Sequence, residues 1–474
     1  MPLQTIKQPF LLTIFGASGD LAQIKIFPAL YALAYQKRLP KNYAVAGYAR
    51  TKMSTAQFRT LFTRSVEKYT GYPVNKKMLA DLARQVHDFA GQYHETKSHI
   101  AYRQGLTRLG LKKNVPHIAY LSVPPNTFEH TITVLAKARQ SKRDDIRVII
   151  EKPFGHDSAS AEHLFHFVSR HLREDQFYLL DHYLGKPQVQ SILNMRHANR
   201  ILANIIEGGE VANIQITAFE DVGVGHRIGY FDEVGMVRDM IQSHLLQLLS
   251  LVTMTIPGRK TAEGLHREKH NILSAIDCLP APHNVVLGQY QTYCKEKGVP
   301  KNSRTETFAA VRLFLDKQEW ANVPIYIRTG KKLNEKHTYV VVELKKFDFQ
   351  PAEEEPNRLI IEFHPFPRIN ITLVNLQEGV NRYQEITTAD SIACDLEGCL
   401  PEHGNLLLDV LKKDHTHFVS FEEVLASWSV VDEIMVATKN GHVRVAQYRD
   451  GSRGPKAHLD LPKQDGFAWY DLHK

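Results

Sequence analysis

Residues Phe10 to Phe15 (FLLTIF) form an unbroken apolar run that opens into Gly16-Ala17-Ser18-Gly19-Asp20-Leu21-Ala22. A run this short, rich in aromatic and β-branched side chains and stopped by glycine, reads as a buried strand. A helical pattern follows, with Ile26, Leu30, Leu33 and Ala34 on one face. Strand, glycine turn and helix in that order is the context that a dinucleotide fingerprint requires. The spacing is G-x-x-G-x-x-A. Gly16 allows a tight turn, Gly19 lets a pyrophosphate approach backbone N–H groups at the helix start, and Ala22 lets the helix lie close on the sheet. Ser18 and Asp20 fall in the same turn and are candidate coenzyme contacts with the two glycines.

The next strand, Tyr43 to Tyr48, ends at Arg50-Thr51-Lys52. In an NAD site an acidic residue at this strand end binds the ribose 2′-hydroxyl. A cation and a hydroxyl suit a 2′-phosphate instead, so Arg50 favours NADP; the plain alternative is that Arg50 opens a solvated loop. Ser54 to about Gly110 reads as polar and helical. Pro116 to Val123 and Arg147 to Ile150 are further buried strands, the second ending in Glu151-Lys152-Pro153. A proline directly after a buried strand suggests a constrained bend or a cis bond and aims Lys152 at a ligand. The helical residues 157 to 173 lead into a last strand, Phe177 to Leu180. That strand delivers Asp181, His182, Tyr183 and Lys186 in quick succession. Asp beside His can orient an imidazole, and Tyr, His and Lys together can hold an anion. Strands alternating with helices through residue 180 argue for an α/β, doubly wound Rossmann-like domain over residues 1–180.

At 474 residues the chain is too long for one core, so residues 181–474 form a second domain. Segments at 211–219, 310–315, 338–346, 357–363 and 369–375 alternate or run β-branched. This larger domain therefore reads as α+β with a mainly antiparallel sheet. Such a sheet can leave a face for another subunit, which makes a homo-oligomer the expectation. A helix is predicted over Val237 to Met254, with Val237, Met240, Ile241, Leu245, Leu248 and Leu249 on its apolar stripe. His244 falls on that stripe. From the helix alone it reads as a core histidine before it reads as a base facing a cleft. Asp239 lies nearer the helix start. Glu220 closes a strand ahead of the glycine-rich loop Gly223 to Gly229, and a carboxylate there suits sugar hydroxyls. A basic cluster, Arg328 to Lys336, follows a strand-like Val323 to Ile327 and offers Lys331 and Lys336 to a phosphate or carboxylate. The tail after about Gly441 carries little pattern.

The net charge of +8 admits two partners, nucleic acid or a small phosphorylated substrate. No Lys/Arg tract of five or more is present, which favours the small anion. No apolar stretch approaches the ~20 residues that cross a bilayer, and the polar start, Met1 to Gln8, is unlike a secretory leader. Neither nucleic acid nor membrane is expected as a partner. Cys278, Cys294, Cys394 and Cys399 are irregularly spaced, as free thiols in a reducing cytoplasm would be. The 24 histidines show no metal-ligand spacing, so no metal is expected.

With these pieces in order, the chain closely resembles the glucose-6-phosphate dehydrogenase family. The resemblance rests on Gly-Ala-Ser-Gly-Asp-Leu-Ala at 16–22, Gly-Tyr-Ala-Arg at 47–50, Glu-Lys-Pro-Phe-Gly at 151–155 and Asp-His-Tyr-Leu-Gly-Lys at 181–186. It continues through Tyr-Phe-Asp-Glu at 230–233, Arg-Asp-Met-Ile-Gln-Ser-His at 238–244, His-Asn-Val-Val-Leu-Gly-Gln-Tyr at 283–290 and Arg-Thr-Gly-Lys at 328–331. Asp-His-Tyr-Leu-Gly-Lys is the most specific of these, and the match loosens after about residue 375.

The resemblance implies oxidation of glucose 6-phosphate to the 6-phosphoglucono-lactone with reduction of NADP, in a cytoplasmic homodimer or homotetramer. It implies His244 as general base and Asp181 as its orienting carboxylate. It implies a phosphate site at His182, Tyr183 and Lys186, substrate-contacting lysines at Lys152, Lys331 and Lys336, and sugar-hydroxyl ligands at Glu220 and Asp239. Gly16, Ser18, Gly19, Asp20, Arg50 and Lys152 match the coenzyme side, and Lys25 a bridge to substrate or coenzyme. Eukaryotic members bind a second, structural NADP through basic residues. This chain has Glu362 at one such strand position and His364 where a glutamine is familiar, which argues against that second site. The family's Asp-Ala-Tyr-Glu-Arg-Leu segment is reduced to Glu402-His403-Gly404-Asn405-Leu406.

Overall fold

The structure is a computed structural model that describes residues 5–109, 115–138, 145–207, 209–225, 228–259, 261–277, 283–346, 355–377, 380–387 and 399–471. Its contacts divide the chain into two compact units. The first holds Met1–Gly155, Ala159–Pro187 and Cys394–Phe421; the second holds His156–Ser158, Gln188–Ala393 and Glu422–Lys474.

In the first unit six parallel strands form one sheet: β1 Phe10–Phe15, β2 Tyr43–Ala49, β3 Val86–Ala90, β4 His117–Leu121, β5 Ile146–Glu151 and β6 Phe177–Leu180. Their order is β3-β2-β1-β4-β5-β6, so the winding reverses between β1 and β4. This is the doubly wound sheet expected from the alternation, with its switch point beside the glycine turn. β1 is buried at every position, as an unbroken apolar run in a parallel sheet must be. β3 corrects the reading of residues 54–110 as helical. It lies between the helices Lys76–Arg84 and Thr96–Thr107, and only Val86 of its five residues is buried. An edge strand so exposed carries no period-2 signal.

One layer of the core joins β1, β2 and β6 to the helix Phe27–Tyr35 and to a distant segment, the helix Glu402–Lys412. Leu406, Leu407, Val410 and Phe418 pack in the same cluster as Leu12, Ile14 and Tyr178. The buried Arg147 of β5 fastens this segment, donating to the carbonyls of Val410 at 2.7 Å and Leu411 at 2.8 Å. Those carbonyls belong to the last turn of the helix, where a cation is favoured.

In the second unit one mixed sheet follows the path β15-β14-β13-β12-β7-β11-β10-β9-β16. Its strands are β7 Val211–Phe219, β8 Ile276–Asp277, β9 Val285–Tyr290, β10 Phe308–Leu315, β11 Ile325–Gly330, β12 His337–Leu344, β13 Arg358–His364, β14 Arg368–Gln377, β15 Val380–Thr387 and β16 Val445–Tyr448; β8 pairs with β10 off the path. Pairing is antiparallel except for β7 with β11 and β9 with β16. The tail, unpatterned in sequence, supplies β16 and then lays Trp469 and Tyr470 over the buried Arg328. The guanidinium stands 4.1 Å from the Trp469 ring centroid and donates to the Tyr470 carbonyl at 3.2 Å. Glu362 is buried in β13, accepting from His337 at 3.0 Å and from Arg368 at 2.6 Å.

Cys294 is a free thiol, but Cys399 is disulfide-bonded, which corrects the expectation of free thiols throughout. Cys278 and Cys394 lie outside the described residues, as do Met1 to Gln4 of the polar start and residues 226–227 of the Gly223–Gly229 loop. Among the described residues no helix is long and apolar enough to cross a membrane.

Candidate functional site

Each unit presents its own set of the candidate residues at strand ends. In the first unit the turn after β1 is closed by the Gly19 N–H donating to the Gly16 carbonyl at 2.8 Å. Gly16 has φ +84°, and a Cβ there would lie 1.9 Å from the Ser122 carbonyl oxygen, so only glycine fits. At Gly19 an added Cβ would meet only the Gly16 oxygen, at 3.1 Å, within the turn itself. Ser18 is half-buried and holds the side chain of Gln23 through its carbonyl at 2.9 Å; Asp20 is exposed. The geometry fits a bound pyrophosphate: a small, open turn at the switch point, followed by the helical run Ala22–Tyr35. That run begins as a π-helix, Ala22–Ile26, rather than as the regular helix expected.

Arg50 stands exposed just past β2. Tyr93, which gave no signal in the sequence, is buried beside it. Burial raises the Tyr93 hydroxyl above its ordinary pKa, while Arg50 and the Gly16 N–H draw it back down. Its oxygen therefore feels both Arg50 and the Gly16 N–H, two of the residues singled out for the coenzyme in the sequence.

At the end of β5 the Lys152–Pro153 peptide is cis, one of the two outcomes expected of a proline at that point. At the end of β6 Asp181 is 1 % exposed and caps the short 3-10 turn His182–Gly185, accepting the Tyr183 N–H at 2.9 Å. The turn gathers the predicted anion ligands. Lys186 Nζ lies 3.4 Å from the Tyr183 ring centroid, and the His182 and Tyr183 rings meet edge to face at 5.3 Å. Gly185 allows this turn to approach the helix Glu402–Lys412, where an added Cβ would lie 2.7 Å from the Glu402 carbonyl oxygen. Lys25 is not grouped with that turn's ligands. Its Nζ pairs with Glu402 Oε1 at 2.8 Å.

In the second unit β7 and β11 run parallel, with Phe219 in register with Gly330. The residues just beyond them, Glu220 and Lys331, are thereby joined in a short ion pair between Lys331 Nζ and Glu220 Oε2. This pairing of residues remote in sequence follows from strand register alone. Lys331 Nζ also lies 5.3 Å from the Phe231 ring centroid. Lys336 stands exposed before β12 and is not drawn into that pair. Arg328 of the same basic cluster is a packing residue under the tail.

The helix expected over 237–254 is two pieces, and a third precedes it. An α-helical stretch, Ile228–Met236, gives way to a π-helix, Val237–Leu245, and then to an α-helix, Leu246–Thr253. Apart from Arg238 it is buried on every side from Val237 to Thr253, so the apolar stripe read from the sequence does not mark an outer face. The π winding bears on chemistry. At about 100° per residue Asp239 and His244 would diverge by about 140° around an α-helix. With i→i+5 bonding, residues five apart come back toward one side. Asp239 and His244, 6 % and 2 % exposed, are that pair.

Gly235 and Glu306 set the start of the π stretch. Gly235 has φ +74°, and a Cβ there would lie 2.3 Å from Glu306 Oε1. The Glu306 carboxylate accepts the Val237 N–H at 3.2 Å, and its carbonyl accepts the Met236 N–H at 3.0 Å. Burial raises the Glu306 pKa against the pull of these N–H groups and of Arg238. Glu306 is a positioning residue that the sequence did not disclose, because its partner is brought to it only by the fold.

Comparison with known proteins agrees over nearly the whole chain. Residues 13–191 match the family model "Glucose-6-phosphate dehydrogenase, NAD binding domain", and residues 193–470 match "Glucose-6-phosphate dehydrogenase, C-terminal domain". A protein of Caenorhabditis elegans named glucose-6-phosphate 1-dehydrogenase is 34% identical over 489 aligned residues, covering 98% of this chain and 93% of that protein. A glucose-6-phosphate dehydrogenase solved in complex with its substrate glucose 6-phosphate superposes with a TM-score of 0.90 at 28% identity, covering 99% of this chain and 100% of that one. A crystal structure of glucose-6-phosphate 1-dehydrogenase from Mycobacterium avium gives 0.87 at 30% identity, covering 97% and 98%.

Proposed function

The chain belongs to the glucose-6-phosphate dehydrogenase family and oxidises glucose 6-phosphate to its lactone with a nicotinamide dinucleotide; we propose that its coenzyme is NADP, that His244 is the general base and that Asp181 orients it. The reaction removes a hydride from the anomeric carbon and a proton from its hydroxyl. When bound, the dinucleotide supplies the hydride acceptor. His244 takes the hydroxyl proton as charge builds on the oxygen, and a carboxylate such as Asp181 fixes the tautomer and balances the imidazolium that results.

The phosphate belongs to His182, Tyr183 and Lys186. Binding it far from the reacting carbon fixes that carbon in place, where proximity contributes most. Glu220, Lys331 and Asp239 hold sugar hydroxyls, with Lys336 at the rim. Lys152 and Lys25 stand between substrate and coenzyme. Gly16, Ser18, Gly19 and Asp20 take the pyrophosphate, and Arg50 the 2′-phosphate.

The observation that carries this reading is the π-helical stretch that keeps a histidine and an aspartate, both almost wholly buried, on neighbouring sides of one helix. An aliphatic core has no use for either group, since a buried charge is costly unless it is paired. Self-association through the second unit's sheet fits the exposed Phe366 and Leu373, at 67% and 43%, and a cytoplasmic homodimer or homotetramer is the assembly we propose. Sedimentation at working concentration checks it.

Initial rates followed at the reduced-nicotinamide band test the chemistry. Asp181→Asn should lower kcat on the order of 10²-fold or more. Arg50→Ala should raise KM for NADP about tenfold and leave NAD use little changed. Unmoved NADP affinity in Arg50→Ala would remove the 2′-phosphate assignment.

A further inference from the structure

The helix Glu402–Lys412 places a buried histidine behind the phosphate turn. His403 is 5 % exposed. Its Nε2 lies 3.5 Å from Glu151 Oε1 at the end of β5, and its Nδ1 lies 3.7 Å from Glu402 Oε1 on its own helix. Its ring lies nearly parallel to that of His182, with centroids 6.5 Å apart and planes inclined by 19°. Lys25, from the first helical run, reaches Glu402 at 2.8 Å, and Tyr120 of β4 donates to Glu151. All of these residues belong to the first unit.

The charges do not balance without a proton on His403. Glu151 and Glu402 contribute two negative charges and Lys25 one positive charge. A neutral His403 leaves one net negative charge, on half-buried carboxylates, one ring away from His182. A protonated His403 cancels it. Burial works against that proton, but the nearby carboxylates of Glu151 and Glu402, at 3.5 and 3.7 Å, outweigh burial and hold the imidazole above its ordinary pKa. The same neighbours, His403 and Lys25, hold Glu402 far below the usual carboxylate range against its own burial.

We propose that His403 is a positioning residue for substrate: its protonated ring neutralises Glu151 and Glu402 behind His182, so that the turn His182–Lys186 can accept a dianionic phosphate. The proposal rests on the assignment of that turn as the phosphate site. His403 touches no substrate atom in this account. It acts through the potential at His182, and therefore on binding of the phosphate rather than on the proton transfer. A unit charge about 8 Å away, partly screened, changes the affinity of an anion on the order of tenfold.

The experiment is the pH dependence of KM for glucose 6-phosphate, with inorganic phosphate as a competitive inhibitor read in parallel. Wild type is compared at each pH with His403→Gln, which cancels the titration of the substrate's own phosphate. In wild type both KM and the phosphate inhibition constant should rise about tenfold as the pH climbs through the titration of His403, with kcat following a different profile. In His403→Gln both should already be high at pH 6.5, relative to wild type, and the ratio should close as the pH rises. The double variant Glu151→Gln/His403→Gln, which restores the charge count, should return KM to within about threefold of wild type. If His403→Gln does not fold, Glu151→Gln alone serves, since loss of one carboxylate should shift the climb in KM to lower pH.

His182→Ala and Lys186→Ala separate the two readings. If they leave phosphate inhibition unchanged, the phosphate site itself is misplaced. If they weaken it while the wild-type and His403→Gln profiles coincide, the phosphate site stands and the role of His403 is overturned.

Discussion

Both units bring a carboxylate, a lysine and an imidazole together, deeply buried in the second and only partly in the first, and the two clusters differ in charge count. In the second unit Glu423, fully buried, accepts from His266 at 2.6 Å and from Gln247 at 3.0 Å and pairs with Lys269 at 2.8 Å. One lysine answers one carboxylate there, so the cluster is already balanced without a proton on His266. In the first unit Lys25 pairs with Glu402 alone, and balance for Glu151 falls to His403, which lies between the two carboxylates. The same residue types make a fixed brace in one place and a titratable one in the other. Position follows the same division. Glu423 is tied through Gln247 to the helix that carries His244, whereas His403 backs the turn that carries His182.

The largest effect that can break this comparison is at Glu423. Glu423→Gln strands the charge of Lys269, which is 1 % exposed, and should cost about 3–5 kcal/mol in urea unfolding. Burial raises the Glu423 pKa, but Lys269 and His266 outweigh it and hold it at about 2 against an ordinary 4.5. The folded state thus binds fewer protons than the unfolded chain, and this stability, complete above pH 4.5, should be lost as the pH falls toward 2. A loss no larger than that of a surface carboxylate would remove the brace.

A third buried histidine sharpens the comparison from the other side. His458 is buried beside a fixed cation, Arg328, with no carboxylate pressed against its ring among its described hydrogen-bond partners. Burial and then Arg328 lower its pKa from 6.5 to about 4. Its contribution to stability is present above pH 6.5 and should fall by roughly 2–3 kcal/mol as the pH drops through 4. His403, with carboxylates on both sides, has the opposite sign: what it contributes is present below pH 6.5 and fades as the pH rises through its raised pKa. Melting temperatures of His458→Asn and His403→Gln against wild type, from pH 4 to 9, should diverge in opposite directions. The smallest effect is expected at His266, where the lysine already balances the carboxylate. His266→Gln should cost about 1 kcal/mol and leave KM for glucose 6-phosphate unchanged across pH.

These contrasts also show which parts of the molecule the amino-acid order discloses. β1, its glycine turn and the 181–186 cluster are legible because each property is local: burial on both faces, a positive φ, a strand that ends. β3 is not, since a half-exposed edge strand has no period to read. The return of Cys394–Phe421 to the first unit is invisible for a different reason. Its apolar face on Leu406, Leu407 and Val410 matches any core, and only the fold decides which one. The 237–254 segment is legible as a buried helix, but its winding is not. An apolar stripe at α spacing passes through His244, but that segment is wound as a π-helix and buried all round. Glu306 and His403 matter through neighbours far away in sequence, and such neighbours leave no mark on spacing.

The central claim is that His244 removes the proton, and His244→Asn tests it most directly. Turnover of glucose 6-phosphate with saturating coenzyme should fall by about 10³-fold or more while KM for the sugar phosphate stays within about threefold. A variant that turns over at the wild-type rate, or one that loses only substrate affinity, would contradict the assignment.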